Sequence, residues 1–238
     1  MNATGPAQLP LAIALVDRAD FGSFVVGPNL EAVKRLEGAV NGKSSDGSIY
    51  LWGGAGSGKS HLLQAACRLA AEQERSSLYL SLRDYATLAP ELLDGLEKLN
   101  LVALDDIECV AGQIEWEAAL FHLYNRAFES GVQLVFGAAT AIAGTGIQLA
   151  DLRSRLAWGF VFHLAELSEA DKALALQKRA QLRGFDMPEN VASYLLRHCQ
   201  RDMRSLFALL DKLDSATLAQ QRRLTVPFVR DLLKPAKY

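Results

Sequence analysis

The residues from Gly53 to Ser60 constrain this chain more than any other stretch. They read Gly-Gly-Ala-Gly-Ser-Gly-Lys-Ser and fit the pattern G-x-x-x-x-G-K-[ST] at every fixed position. An apolar run, Ile49 to Trp52, precedes them and a helical pattern begins at His61, which is the strand–loop–helix context that this phosphate-binding loop requires. A glycine-rich turn that binds nothing is the alternative, but it leaves the Lys-Ser pair unexplained. The motif therefore predicts binding of a nucleoside di- or triphosphate.

Each kind of residue in the motif has a chemical role. Glycines let the backbone curl so that its N–H groups point at a phosphate chain, and the helix that follows adds its positive N-terminal end. Lys59 is predicted to reach the β- and γ-phosphates, and the hydroxyl of Ser60 to ligate Mg²⁺. The predicted contacts come from Gly53, Gly54, Ala55, Gly56, Ser57, Gly58, Lys59 and Ser60.

Composition excludes several other classes of protein. No apolar run approaches the length of a membrane span and the N-terminus lacks a signal peptide's basic flank, so we expect a soluble, cytoplasmic chain with no membrane partner. The formal net charge of −2 is too balanced for a chain that grips nucleic acid by charge. Three widely spaced cysteines in apolar contexts are predicted to be reduced and free: Cys67, Cys109 and Cys199.

A second informative stretch is Leu101 to Asp106. Four apolar residues predict a buried strand, and two carboxylates follow at its C-terminal end, where open α/β sheets place their ligands. In a P-loop protein Asp105 would hold the Mg²⁺ shell and Asp106 would orient the attacking water. A plain Asp-Asp turn that ends a strand is the alternative.

The remaining periodicities predict strands that alternate with helices, which implies a parallel sheet covered on both faces. The predicted strands are 49–52, 78–82, 101–104, 132–137 and 160–164. The predicted helices beside them are 30–40, 61–74, 84–96 with an interruption near Pro90, 114–130 and 151–158. Only helices follow, at 172–183, 188–200, 203–218 and 227–233. We therefore predict an α/β domain at 19–166 and a helical domain at 167–238.

Residues 1–18 precede these domains and carry no convincing period. Within them Gln8-Leu9-Pro10-Leu11-Ala12-Ile13 is a glutamine followed by alternating aliphatic residues, typical of a short extended peptide that docks in pockets on another protein. The pattern alone favours the alternatives, an unstructured tail or an arm folded back on its own domain.

The order of a P-loop, a strand ending in Asp-Asp, an arginine-bearing helix and a helical lid resembles that of AAA+ ATPases. Phe24 to Asn29 is similar to the adenine-contacting segment of bacterial DnaA initiators, 58–62 to their Walker A and 105–107 to their Walker B. Four runs are more similar still to the Hda group of DnaA-related regulators of replication initiation: 105–112, 151–159, 182–185 and 201–207. The resemblance spans about 21–233 and implies an AAA+ P-loop NTPase with a parallel-sheet core and a C-terminal helical lid domain.

The resemblance also implies roles for further residues. It adds contacts to ADP or ATP from Val26, Asn29, His61 and Arg204, the last being the sensor 2 arginine of the lid. Arg155 matches the arginine finger that projects into the nucleotide site of a neighbouring DnaA molecule, with Arg153 as the backup. A finger supplied in trans neutralises charge on the transferring phosphoryl group. A surface salt bridge is the alternative role for Arg155.

The partners that the resemblance implies are the DnaA initiator and the β sliding clamp of DNA polymerase III, with DNA reached only through the clamp. The N-terminal peptide is similar to clamp-docking peptides, which reverses the preference given by pattern alone; its docking residues would be Gln8, Leu9, Leu11 and Ile13. The chain would then stimulate hydrolysis of ATP on DnaA and inactivate it, with little hydrolysis of its own. The alternative is a self-sufficient AAA+ ATPase that acts as a helicase loader or remodeller. Monomer and homodimer both stay open.

Two departures from the family pattern weaken these expectations, and one absence supports them. Many AAA+ proteins carry a polar sensor 1 residue, often Asn, after the strand at 132–137, where this chain has Ala138-Ala139-Thr140. Thr140 is the candidate substitute; without such a contact to water, self-hydrolysis would be weaker. The docking peptide has Ala12-Ile13 where clamp-binding peptides often have Pro-Leu, which would lower its affinity. No helix-turn-helix pattern follows Leu233, so we expect no sequence-specific DNA binding.

Overall fold

Five strands in the described part of the chain form one parallel sheet. A computed structural model describes residues 19–42, 47–200, 202–220 and 223–233, so the docking residues Gln8, Leu9, Leu11 and Ile13 lie outside the described part. The strands are β1 (Ser48–Trp52), β2 (Ser77–Ser81), β3 (Leu101–Asp105), β4 (Gln133–Ala138) and β5 (Gly159–His163), in the order β2-β3-β4-β1-β5. The predicted parallel α/β sheet is confirmed.

The helices that cover the two faces of the sheet, within the ranges given above, are α1 (Leu30–Val40), α2 (Lys59–Glu72), α3 (Ile114–Ser130) and α4 (Ala150–Ala157). Helices α1 and α2 pack in a buried cluster on one face, for example through Leu36 and Leu62. Helices α3 and α4 pack on the other face, through Leu120 and Leu152. Strands buried on both faces have continuous apolar sequences, which is why β3 and β4 could be found from sequence.

The predicted helix at 84–96 is wrong. The structure has three short 3₁₀ turns there, Tyr85–Thr87, Pro90–Leu93 and Leu96–Lys98. Proline disfavours the helical conformation in the residue before it, and Ala89 is accordingly extended, with φ −111° and ψ 143°. Gly95, at φ 82°, then takes a left-handed conformation that prevents a second helix from forming.

Beyond β5, the described residues form four helices around a further hydrophobic core, into which Val25 also packs. They are α5 (Glu169–Leu182), α6 (Glu189–His198), α7 (Met203–Gln220) and α8 (Val226–Leu233). The side chain of Ser168 accepts a hydrogen bond from the Asp171 amide at 3.1 Å and so caps α5. The predicted helical lid is confirmed, whereas the boundary at 166/167 stays a prediction. In the described ranges, no helix combines the length and the apolar character needed to cross a bilayer.

Candidate functional site

The loop between β1 and α2 is a backbone cradle that requires glycine. Gly56 and Gly58 have φ angles of 79° and 97°, in the left-handed region that other residues avoid. A Cβ on Gly58 would lie 2.5 Å from Cε2 of Phe24, and one on Gly53 would lie 2.7 Å from the carbonyl oxygen of Leu164. The loop is therefore packed too closely against its neighbours for larger residues.

Two side chains of this loop suit phosphate oxygens. The Lys59 Nζ donates to the carbonyl oxygens of Gly53 at 2.7 Å and Gly54 at 3.0 Å, so the ammonium group lies against the loop. Burial lowers the pKa of Lys59, an effect that the charge of Asp105 partly offsets. The buried Ser57 hydroxyl has no hydrogen-bond partner in the described part of the chain. A backbone cradle, an ammonium group and a buried hydroxyl without a partner together fit a phosphate chain.

Asp105 ends β3 and is fully buried. Its carboxylate accepts hydrogen bonds from the Tyr79 hydroxyl at 3.0 Å and from the Asp106 amide at 3.0 Å, and the side chain of Ser60 lies beside it. Burial raises the pKa of Asp105, and hydrogen bonding to Ser60 opposes this. A Cβ on Gly137 of the neighbouring strand would overlap this carboxylate, so the glycine makes room for it.

Ser60 and Asp105 are thus brought together as the sequence predicted for a Mg²⁺ site. Among the described residues, no group of three or more His, Cys, Asp or Glu side chains is arranged to hold a metal ion by itself. Mg²⁺ in nucleotide sites is commonly bound by one or two protein ligands together with phosphate oxygens and water. The pair fits that kind of shared coordination.

Asp106 has a different environment. It adopts a left-handed conformation at φ 56°, and its carboxylate accepts hydrogen bonds from the Ser81 hydroxyl at 2.8 Å and from the Arg83 guanidinium at 2.8 Å. Partial burial raises the pKa of Asp106, but the bonds from Arg83 and Ser81 outweigh it and hold the pKa below its usual value. Each oxygen of Asp106 accepts one hydrogen bond here and has a second lone pair, so its predicted water-orienting role stays a prediction.

The segment before α1, predicted to contact the base, is held against the chain after β5 and against α2. The Asn29 amide group donates to the Ala165 carbonyl at 3.1 Å and accepts from its N–H at 2.9 Å. The His61 Nε2 lies 2.9 Å from the carbonyl oxygen of Asp20. Val26 is half-buried at the N-terminal end of the turn Gly27–Asn29. These contacts fix the segment in place, and base recognition by Val26, Asn29 and His61 stays a prediction.

The lid reaches the phosphate loop through the N-terminus of α7. The backbone nitrogens of Met203 and Arg204 lie 3.3 Å and 3.4 Å from the position of a Cβ on Gly56. Burial is the main cause that lowers the pKa of Lys59, and the positive charge of Arg204 lowers it further. The structure therefore brings Arg204 beside the loop, as the sensor 2 prediction requires. An apolar cavity lies between the lid and the loop, lined among others by Phe24, Val25, Leu167, Leu182, Met203 and Phe207.

Arg153 and Arg155 lie on α4, and the structure gives them different surroundings. The Arg153 guanidinium donates to the carbonyl oxygens of Ile147 at 2.6 Å and Gln148 at 3.0 Å, so it anchors the start of α4. The Arg155 guanidinium lies 6.0 Å and 5.9 Å from the ring centres of Tyr124 and Trp158. In the described part of the chain, Arg155 has no carboxylate partner and does not contact the phosphate loop.

Thr140, the candidate sensor 1 residue, lies exposed just beyond β4. Its backbone carbonyl accepts a hydrogen bond from the Tyr50 hydroxyl at 3.1 Å. Strand β4 lies between β1 and β3 and is parallel to both. Thr140 is therefore at the C-terminal ends of the strands, as are Asp105 and the phosphate loop.

Several residues near the site were not predicted from sequence. Glu108 follows Asp105 by three positions, and its Oε2 is buried without a partner among the described residues. Its charge raises the pKa of Lys59, against the larger lowering by burial. A third acidic residue after the strand was a signal that could have been used. The partners of the two aspartates on β2, Tyr79 and Ser81, had no signal, because strand order is not visible in one sequence.

Comparison with solved structures shows the fold. Domain III of the replication initiation protein DnaA from Thermotoga maritima is 22% identical, with a TM-score of 0.78 over 91% of this chain and 98% of that one. AMPPCP-bound DnaA from Aquifex aeolicus is 22% identical, with a TM-score of 0.72 over 86% and 67%. The RuvB Holliday junction branch migration motor of Thermotoga maritima is 17% identical, with a TM-score of 0.67 over 90% and 71%.

Comparison with protein families is more specific. The profile of the bacterial DnaA ATPase domain matches residues 15–163, which is more than half of the chain. The profile of the Hda lid domain matches residues 169–233, which contain helices α5 to α8. The two matches follow each other along the chain and coincide with the α/β core and the helical lid. This chain therefore belongs to the family of the bacterial DnaA ATPase domain and is a Hda/DnaA-related AAA+ protein.

Proposed function

We propose that this chain regulates replication initiation by stimulating hydrolysis of the ATP bound to DnaA, which inactivates the initiator. The observation that carries the proposal is the placement of Arg155 on a DnaA-type core with an Hda-type lid. Its guanidinium has no carboxylate partner among the described residues and lies away from its own phosphate loop. An arginine so placed is suited to a nucleotide held by another molecule.

The chemistry of Arg155 would be electrostatic. A guanidinium brought against the transferring phosphoryl group neutralises the charge that builds up in the transition state, and such arginines contribute ~10³–10⁵ in rate. Aromatic side chains beside Arg155 support a contact with protein: Trp158 and Phe128 are each 52% exposed, with ring centres 5.0 Å apart. Exposed aromatic residues are enriched at protein–protein interfaces. We assign this surface to the contact with DnaA.

A nucleotide bound by this chain itself would have a structural role. The phosphate loop, Lys59 and Ser57 would hold the phosphates, Arg204 would contact them from the lid, and Ser60 with Asp105 would hold Mg²⁺. Mg²⁺ neutralises phosphate charge when bound. The AMPPCP-bound DnaA of Aquifex aeolicus supports binding of a nucleotide by this fold. ADP or ATP would fix the angle between core and lid.

Hydrolysis by this chain alone is proposed to be weak. Asp106 has both carboxylate oxygens engaged by Ser81 and Arg83, and Thr140 replaces the usual amide side chain of sensor 1. Both features leave an attacking water with fewer contacts. They favour the regulator over the self-sufficient loader or remodeller.

The clamp is proposed to act as a tether. The peptide with Gln8, Leu9, Leu11 and Ile13 would bind the sliding clamp on DNA and so raise the concentration of this chain near DnaA. A second contact within a tethered pair acts at an effective concentration of up to the millimolar range, so a weak contact with DnaA suffices.

The experiment is phosphate release from ATP-loaded DnaA, with this chain added in the presence and absence of clamp assembled on DNA. We expect strong stimulation only with the clamp. Arg155→Ala should abolish it, while Arg230→Ala, which removes an exposed arginine from α8, serves as the matched control and should retain it. No stimulation, with ATP turnover by this chain alone, would instead support the loader or remodeller.

A further inference from the structure

Glu117 on α3 is a buried carboxylate that binds backbone from two separate loops. Its side chain is only 2% exposed and, within the described residues, makes no ion pair with a basic group. It accepts hydrogen bonds from the amides of Gly112 at 2.6 Å, Gln148 at 3.0 Å and Leu149 at 2.7 Å. A buried charge is stable only when its hydrogen-bonding capacity is filled, and here three backbone donors fill it.

The two loops lead to different parts of the site. Gly112 follows the turn Ile107–Val110, which begins directly after Asp105 and Asp106 at the end of β3. Leu149 is the N-cap residue of α4, the helix that carries Arg155. The Glu117 carboxylate therefore links the loop after β3, the strand that ends at Asp105, to the start of α4, the helix that carries Arg155.

Packing between the loops supports the same connection. A Cβ placed on Gly146 would lie 3.6 Å from the Cβ of Ala111, and one on Gly112 would lie 3.5 Å from Nε2 of Gln148. Both glycines have positive φ angles, 79° at Gly112 and 81° at Gly146, so each loop takes a conformation that suits this close approach. A displacement of one loop would therefore be transmitted to the other.

We infer that Glu117 is a positioning residue that couples the nucleotide site of this chain to the orientation of Arg155. The inference rests on the proposed function of Arg155. A nucleotide that shifts the end of β3 would move Gly112, and the shared carboxylate would carry the shift to Leu149 and α4. Coupling of this kind needs a contiguous element that both sites act on, and the Glu117 carboxylate with its three amides provides one.

The test replaces Glu117 by Gln, which keeps the shape but puts an NH₂ group where one accepting oxygen was. Glu115→Gln changes an exposed glutamate in the same helical turn and is the matched control. Single-turnover hydrolysis of ATP on DnaA is measured over a range of concentrations of this chain. We expect Glu117→Gln to lower the maximal rate at least tenfold, with an unchanged half-saturating concentration. A purely structural role would lower the melting temperature and leave the rate below it unchanged.

Amide hydrogen exchange of this chain alone gives a second readout. With Mg–ADP as the probe, the wild type should change exchange at Gly112 and at 148–149 together, and Glu117→Gln should change only the first. A full maximal rate with Glu117→Gln, or no effect of Mg–ADP at 148–149 in the wild type, would overturn the inference. If wild-type protein fails to stimulate DnaA, the proposed function fails and the exchange data still decide the coupling.

Discussion

Replacing Asp105 by Asn should stabilise the nucleotide-free protein and remove its response to Mg²⁺. The carboxylate is fully buried, and burial is the largest influence on its raised pKa. Because the pKa of Asp105 is raised in the folded state, this carboxyl contributes its full stability at pH values below its ordinary pKa of 3.8. The contribution is lost as the pH rises through the folded-state pKa. At pH 7 the buried charge therefore costs stability, and a neutral amide avoids that cost.

The hydrogen bonds set the size of the effect. An asparagine oxygen still accepts from the Asp106 amide, and its NH₂ group can donate to the Tyr79 hydroxyl, so neither of these hydrogen-bond partners is left unpaired. Single stabilising substitutions commonly raise the free energy of unfolding by about 0.5–2 kcal/mol, and we expect Asp105→Asn to fall in that range. For a chain of this length that is a rise of roughly 1–8 °C in melting temperature.

The assay is thermal unfolding with and without nucleotide. Without nucleotide at pH 7, Asp105→Asn should melt above the wild type, and the difference should vanish as the pH falls towards 3.8. ADP with Mg²⁺, at 100 times its Kd, should raise the free energy of unfolding of the wild type by about 2.7 kcal/mol. For the variant, ADP with Mg²⁺ should stabilise little more than ADP with a chelator. A variant that melts below the wild type at pH 7, or responds equally to Mg²⁺, would refute the reasoning.

Three further predictions concern single side chains. Gly58→Ala should weaken ADP binding at least tenfold, measured by calorimetry, because it forces φ 97° on alanine and a clash with the Phe24 ring. Gly38→Ala, where a Cβ meets open space, is the control and should not weaken binding. Arg83→Ala should cost less than about 1 kcal/mol because this arginine is half-exposed, yet raise ATP turnover by the isolated chain because Asp106 loses a partner; unchanged turnover would contradict this. Burial raises the pKa of the Cys67 thiol to about 12, so iodoacetamide at pH 8.5 should label it only after unfolding in urea.

The parts of the fold that could be predicted from sequence are those set by local pattern. Helix α3 was predicted at 114–130 and has those bounds, because its apolar period ends at Gly131, which takes the left-handed conformation typical of a helix C-terminus. The phosphate loop was found from its fixed residues, and the sheet from buried apolar runs. At 84–96 the apolar spacing predicts a helix, but Pro90 and Gly95 break it into short turns.

The parts that could not be predicted depend on contacts between distant residues. The donors to Asp106 come from Ser81 and Arg83, more than twenty positions earlier, and meet it only because β2 lies beside β3. The acceptor role of Glu117 likewise depends on a loop about thirty residues away, and in sequence this glutamate looks like any acidic residue in the first turn of a helix. A single sequence carries no information about these pairs.

The measurement that tests the central claim most directly is single-turnover hydrolysis of ATP already bound to DnaA, with clamp on DNA and saturating amounts of this chain. The account predicts that Arg155→Ala lowers the rate to that of DnaA alone, a loss of up to ~10³–10⁵, without changing binding to the clamp. Hydrolysis that stays fully stimulated by Arg155→Ala would contradict it.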